Sequence, residues 1–115
     1  MKRVIAVDFD GTLCTNAWPL IGEPNSELIS QLIEEQENGS VIILWTTRSG
    51  KRLREAVDWS KKQGLTFDYV NRNVPERIRK YRNDSRKISA DVYVDDRAAA
   101  FSFGKQLNLG GENDE

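Results

Sequence analysis

Two aspartates, Asp8 and Asp10, stand one residue apart at the end of an apolar run in "RVIAVDFDGTLC". A second acidic pair, Asp95 and Asp96, ends "ADVYVDD". Between them, "SVIILW" runs into Thr46, Thr47 and Arg48. Carboxylates gathered at strand ends repel one another strongly unless a cation joins them. The chain has no histidine and one cysteine, Cys14. That removes Ser-His-Asp and Cys-His catalysis, histidine-based zinc sites and any internal disulfide. Leu20 occupies the position six residues after Cys14, where a cysteine-based phosphatase needs arginine. Chemistry therefore falls to carboxylates, lysine, arginine, hydroxyls or a metal held by oxygen. Oxygen-only ligation selects a hard ion, and Mg²⁺ (magnesium) fits best, being held by one or two carboxylates with water and substrate phosphate. Such an ion would let a dianionic phosphate approach an anionic site.

The elements that must position these groups follow from hydrophobic patterning. "RVIAV" at 3–7 and "SVIILW" at 40–45 are continuous apolar runs, as expected of strands buried on both faces. "TFDYV" at 66–70 alternates as a weaker strand, and "ADVYV" at 90–94 is a fourth. A helix is expected from Ser26 to Glu37, with Leu28, Ile29, Leu32 and Ile33 on one face and Asn38-Gly39 as its stop. A second helix follows Ser49 as cap, with Leu53, Ala56, Val57 and Ser60 inside and Gly64 at its end. Short helices are expected over 75–82 and near 97–103, and residues 11–25, with two Pro and two Gly, read as an irregular loop. This βαβ rhythm implies an α/β fold: a Rossmann-like three-layer sandwich with a mainly parallel sheet of about four to five strands and right-handed crossovers. Ligands in such sheets bind beyond the carboxyl ends of the strands, where strand order reverses. Three polar clusters would converge on that rim: Asp8 and Asp10, then Thr46, Thr47 and Arg48, then Asp95 and Asp96. Strand alternation would turn Phe9 inward and leave Asp8 and Asp10 on one side.

At 115 residues the chain fits one domain, read as residues 1–109 with a disordered tail at 110–115. A formal net charge of −1 argues against bulk electrostatic binding to nucleic acid or anionic membrane. Carboxylates come too early for a signal peptide, and no apolar stretch approaches the roughly 20 residues that span a bilayer, so a cytoplasmic protein is expected.

"DFDGT" after a buried strand, "ILWTTR", a lysine in "SRKISA" and "VYVDD" occur in the order of the four motifs of the haloacid dehalogenase-like superfamily, and the chain resembles a minimal member without a large cap domain. The resemblance covers nearly the whole chain. It implies a Mg²⁺-dependent phosphatase. Asp8 would be the nucleophile that forms an aspartyl-phosphate. Asp10 would be the general acid and then the base. Thr46 would donate to the phosphoryl group, with Thr47 the alternative. Lys87 would offset charge, with Lys80 and Arg86 as alternatives. Asp8, the Asp10 carbonyl, Asp95 and Asp96 would hold the metal. "TNAWPLIG" would form a small flap, with Trp18 as its lip.

Other readings stay open beside this one. Receiver domains of response regulators share length, sheet and acidic residues, and would make the protein a phosphorylated switch. A low-activity phosphate-binding subunit is a third reading. The seven basic residues from Arg72 to Lys87 form either a solvated charged helix face or a basic rim, to which Arg48 and Arg97 could add. Trp45 and Trp18 could stack on a sugar or base, but Trp45 is expected to pack in the core. A capless site suits a macromolecular phosphate, or a small sugar phosphate or nucleotide enclosed by a homo-oligomer partner.

Overall fold

Four aliphatic residues in a row, Val4–Val7, form strand β1, and every one of them is buried. A strand with no wet face belongs in the middle of a sheet. The computed structural model, which describes residues 3–75, 89–96 and 101–107, puts it there. Chain order continues with β2 (Cys14–Ala17), β3 (Leu20–Pro24), α1 (Ser26–Glu37), β4 (Val41–Leu44), α2 (Gly50–Lys62), β5 (Tyr69–Val70) and β6 (Val92–Val94). The main sheet has the order β5-β4-β1-β6, and all its pairings are parallel. Val7 pairs with Leu44 on one side and Val94 on the other, so the three strands end level. From β1 the chain moves outward to β4 and β5, then returns to β6 on the opposite flank. The order therefore reverses beside β1. The fold is the expected α/β Rossmann-like sandwich, without a large cap among the described residues.

Alternation along the strands sorts the core into two faces. Ile5, Val7, Ile42, Leu44 and Val94 pack with Leu28, Ile29 and Leu32 of α1 and Ala56 of α2. Both described helices thus cover one face. Burying an aliphatic side chain of this kind contributes about 1.5–3 kcal/mol. Val4, Ala6 and Ile43 face the other way, with Val74 against them. The Asn73 side-chain carbonyl accepts from the Ser89 backbone N–H at 2.6 Å, tying together the two ends of the connection between β5 and β6.

Helix α1 has the expected bounds, and its cap is Asn25, whose side chain accepts from Leu28 N–H. Ser49 takes the cap position of α2 but makes no side-chain capping bond. The expected strand at 66–70 is shorter, because only Tyr69 and Val70 pair with β4.

One expectation is corrected. Residues 11–25 are not an irregular loop; they contain the antiparallel hairpin β2–β3. Its outer residues, Thr15 to Leu20, are exposed. Only Cys14 and Ile21 of the hairpin reach the core, so it leaves no alternating pattern. The expected helix at 75–82 lies outside the described residues except for Pro75; 97–100 of the one expected near 97–103 and the tail at 110–115 lie outside them too, and residues 101–107 are turn and coil. No helix among the described residues is long and apolar enough to cross a membrane.

Candidate active site at the carboxyl end of the sheet

Asp8 is the first residue past β1, and its backbone N–H donates to the Val94 carbonyl at 2.9 Å. On the other flank Trp45 N–H donates to the Val7 carbonyl at 2.9 Å. These two bonds extend the ladder just beyond the strands. They bring Asp8, Thr46 and Asp95 to one level. Together with Thr47, the three line a cavity of about 260 Å³ at the point where strand order reverses.

Asp8 is half-buried, and one carboxylate oxygen accepts from Phe9 N–H at 2.8 Å. Its carboxyl is held above the ordinary carboxylate range. Loss of solvent is the main cause, and the charges of Asp96, Asp10 and Asp95 push the same way against the lowering Phe9 bond. Asp96 is exposed and stands over Gly11 rather than in the cavity wall: a Cβ on Gly11 would lie 2.9 Å from Asp96 Oδ2. Gly11 also has φ +82°, so a side chain there meets both backbone strain and an aspartate.

Asp10 turns elsewhere. Strand geometry stops before it, because Thr12 and Leu13 N–H both donate to the Phe9 carbonyl, at 3.1 and 2.9 Å. The side-chain period of two no longer applies past that turn. Asp10 meets Arg48 in a two-pronged pair: Nη2 to Oδ1 at 2.7 Å and Nε to Oδ2 at 2.8 Å. Arg48 is 1% exposed. Its guanidinium lies 5.0 Å from the Phe9 ring centroid and 4.9 Å from that of Trp18. It also donates to the Leu20 carbonyl at 2.9 Å. Hydrogen bonding to Asp10 raises its already high pKa further. Arg48 is therefore no part of a basic rim. It is a buried cation linking Asp10 to the hairpin, and its cost in lost hydration is met by the paired carboxylate, carbonyls and ring faces.

The threonines separate by anchoring. Thr46 N–H donates to the Asn71 side chain at 2.8 Å, and Thr46 Oγ1 accepts from Arg48 N–H at 3.1 Å. Thr47 is exposed. Asn71 has φ +53°, a conformation asparagine tolerates better than most residues. Its N–H donates to the Leu44 carbonyl at 2.7 Å, so it clasps the end of β4. The sequence reading missed Asn71; the signal was an asparagine directly after a short strand. It also missed Asn25, which is buried, caps α1, donates to the Thr12 carbonyl at 2.9 Å and accepts from Gly104 N–H at 3.3 Å. Asn25 thereby pins the turn that follows Asp10. Behind it, Thr12 Oγ1 is buried with no hydrogen-bond partner among the described residues.

Trp45 does not pack in the core; it is 39% exposed and walls the cavity. Cys14 is buried as a small packing residue, and burial pushes its thiol up. Lys87, Lys80, Arg86 and Arg97 lie outside the described residues.

The donor set suits a hard cation, since every candidate atom is oxygen and mutual repulsion already burdens Asp8. Among the described residues, no three acidic side chains stand grouped as ligands. They share a rim without closing on a point.

No family model matches the chain, and no curated protein matches it. Among solved structures it is similar to a conserved protein coded by a locus from Bacteroides thetaiotaomicron, at 37% identity and a TM-score of 0.75, over 86% of this chain and 79% of that one. At that identity over most of both chains, this chain belongs to the same family as the conserved Bacteroides thetaiotaomicron protein.

Proposed function

We propose that the protein is a cytoplasmic phosphomonoester hydrolase of the haloacid dehalogenase-like type, with Asp8 as its nucleophile. The observation that carries this reading is the single cavity lined by Asp8, Thr46 and Asp95 at the ends of three adjacent parallel strands. A partly desolvated carboxylate is a better nucleophile than a hydrated one. Asp8 attacks phosphorus, the bond to the leaving oxygen breaks, and Asp10, freed from Arg48 and carrying a proton, gives that oxygen the proton. Asp10 then takes a proton from water. The water oxygen bonds to phosphorus, and phosphate leaves as Asp8 is restored. The Thr46 hydroxyl oxygen already accepts from Arg48 N–H, which leaves its hydrogen for a phosphoryl oxygen. Each Asp10 oxygen keeps a second lone pair beside its bond to Arg48. Mg²⁺, held by Asp8, the Asp10 carbonyl, Asp95 and Asp96, would neutralise the site and draw in the phosphate dianion. Lys87 is the proposed balancing cation.

Hydrolysis of an aryl phosphate in the presence of Mg²⁺ tests the reading. Asp8→Asn and metal chelation should each reduce phosphate release to background. Turnover that survives Asp8→Asn would remove Asp8 as nucleophile.

The Asp10–Arg48 pair favours one alternative, a phosphorylated switch in which Asp8 accepts phosphate but releases it slowly because Asp10 is engaged. Multiple turnover that slows in Asp10→Ala supports the hydrolase, and a lasting phosphoprotein without turnover supports the switch.

A further inference from the structure

The cavity beside Asp8 has a wall that phosphate chemistry does not need. On the sheet face opposite the two described helices, Ala6 of β1 pairs with Tyr93 of β6. Val41 and Ile43 point to that same face, and Trp45 lines the cavity two residues further along. Trp45 and Tyr93 are 39% and 46% exposed, and both line the cavity with the small Ala6 between them. Single exposed aromatics are ordinary. Two of them flanking one alanine, within the same cavity as Asp8, Thr46 and Asp95, form an apolar cleft with a few convergent polar groups, as ligand sites do. Its volume of about 260 Å³ falls just below that of pockets for drug-sized ligands, which suits one ring system and little more.

We propose that Trp45 and Tyr93 receive a flat aromatic ring carried by the leaving group, so that the substrate is a small phosphomonoester bearing a nucleobase or a phenol. The location of the phosphate rests on the hydrolase reading; the ring cleft does not. Ring stacking on Trp45 supplies affinity, and Tyr93 closes the opposite wall. The Tyr93 hydroxyl accepts from Ala90 N–H at 3.0 Å, which fixes the ring's orientation.

Tryptophan fluorescence tests this, with a nucleoside 5′-monophosphate, phenyl phosphate and glycerol phosphate as probes. Both ring-bearing esters, or one of them, should quench emission, and glycerol phosphate should not. The tighter of the two identifies the ring source. In Trp45→Phe, which keeps Trp18 and Trp59 as reporters, the quench should be lost. In Trp45→Ala, affinity for the ring-bearing ester should fall roughly tenfold, the scale of one aromatic stack. Quenching that persists in Trp45→Phe, or ring-bearing esters that bind no tighter than glycerol phosphate, overturns the proposal. If a ring-bearing ester binds through Trp45 and no phosphate is ever released, the cleft stands and the hydrolase reading falls. If all three esters are hydrolysed with equal kcat/KM, the hydrolase stands and the cleft falls.

Discussion

Asp8 is asked to carry a charge that its surroundings oppose. Desolvation and three neighbouring carboxylates hold its carboxyl above the ordinary value of 3.8. The folded state therefore binds a proton more tightly than the unfolded chain does. Stability from this group is full at low pH and declines as pH rises from near 3.8 through the raised folded value. Without metal, Asp8→Asn should unfold at a higher temperature than wild type at about pH 7, and the gap should close towards about pH 4. Asparagine keeps an oxygen for Phe9 N–H, so the comparison isolates charge. Equal melting temperatures across the range would mean that Asp8 bears no such burden. Part of this was legible in the residues themselves: two carboxylates after a dry strand signal charge held against its preference. The fate of Asp10 was not legible. Its partner lies 38 positions away, and nothing local marks Arg48 as buried rather than exposed.

Among the elements, the hairpin β2–β3 depends most on a single side chain. Arg48 joins Asp10, the Leu20 carbonyl and the Trp18 ring. Its side chain is 0% exposed, while Asp10 keeps 19%. Removing one partner of a buried pair costs about 3–5 kcal/mol, and the partial exposure of Asp10 argues for the lower end. Arg48→Met should lower unfolding free energy by about 3 kcal/mol in urea titration, and Asp10→Asn in the same background should restore part of it. A loss below about 0.5 kcal/mol would show that the pair behaves as an exposed one. The sheet and α1 could be read ahead because their signals are strong and local: unbroken aliphatic runs, and for α1 an apolar face of Leu28, Ile29, Leu32 and Ile33 stopped by Asn38-Gly39. The hairpin escaped because it is exposed and its order comes from backbone bonds and a distant arginine. Trp45 was misread for a related reason. It extends the apolar run of β4 by one residue, and alternation turns that residue to the face that holds the cavity.

At the scale of the molecule, the reversal of strand order beside β1 does the assembling. It sets Val7 level with Leu44 and Val94, so three polar strand ends, distant in sequence, meet at one cavity. Two aromatic walls and a central carboxylate then share one cavity. The central claim is that the Asp8 carboxylate attacks phosphorus. Acid quenching during turnover of an aryl phosphate with Mg²⁺, followed by peptide mapping of the protein by mass spectrometry, tests it most directly. A phosphoryl group is expected on the peptide carrying Asp8, absent in Asp8→Asn and accumulating in Asp10→Ala. Phosphate released at full rate with no phosphoryl group on Asp8 at any time point would contradict it.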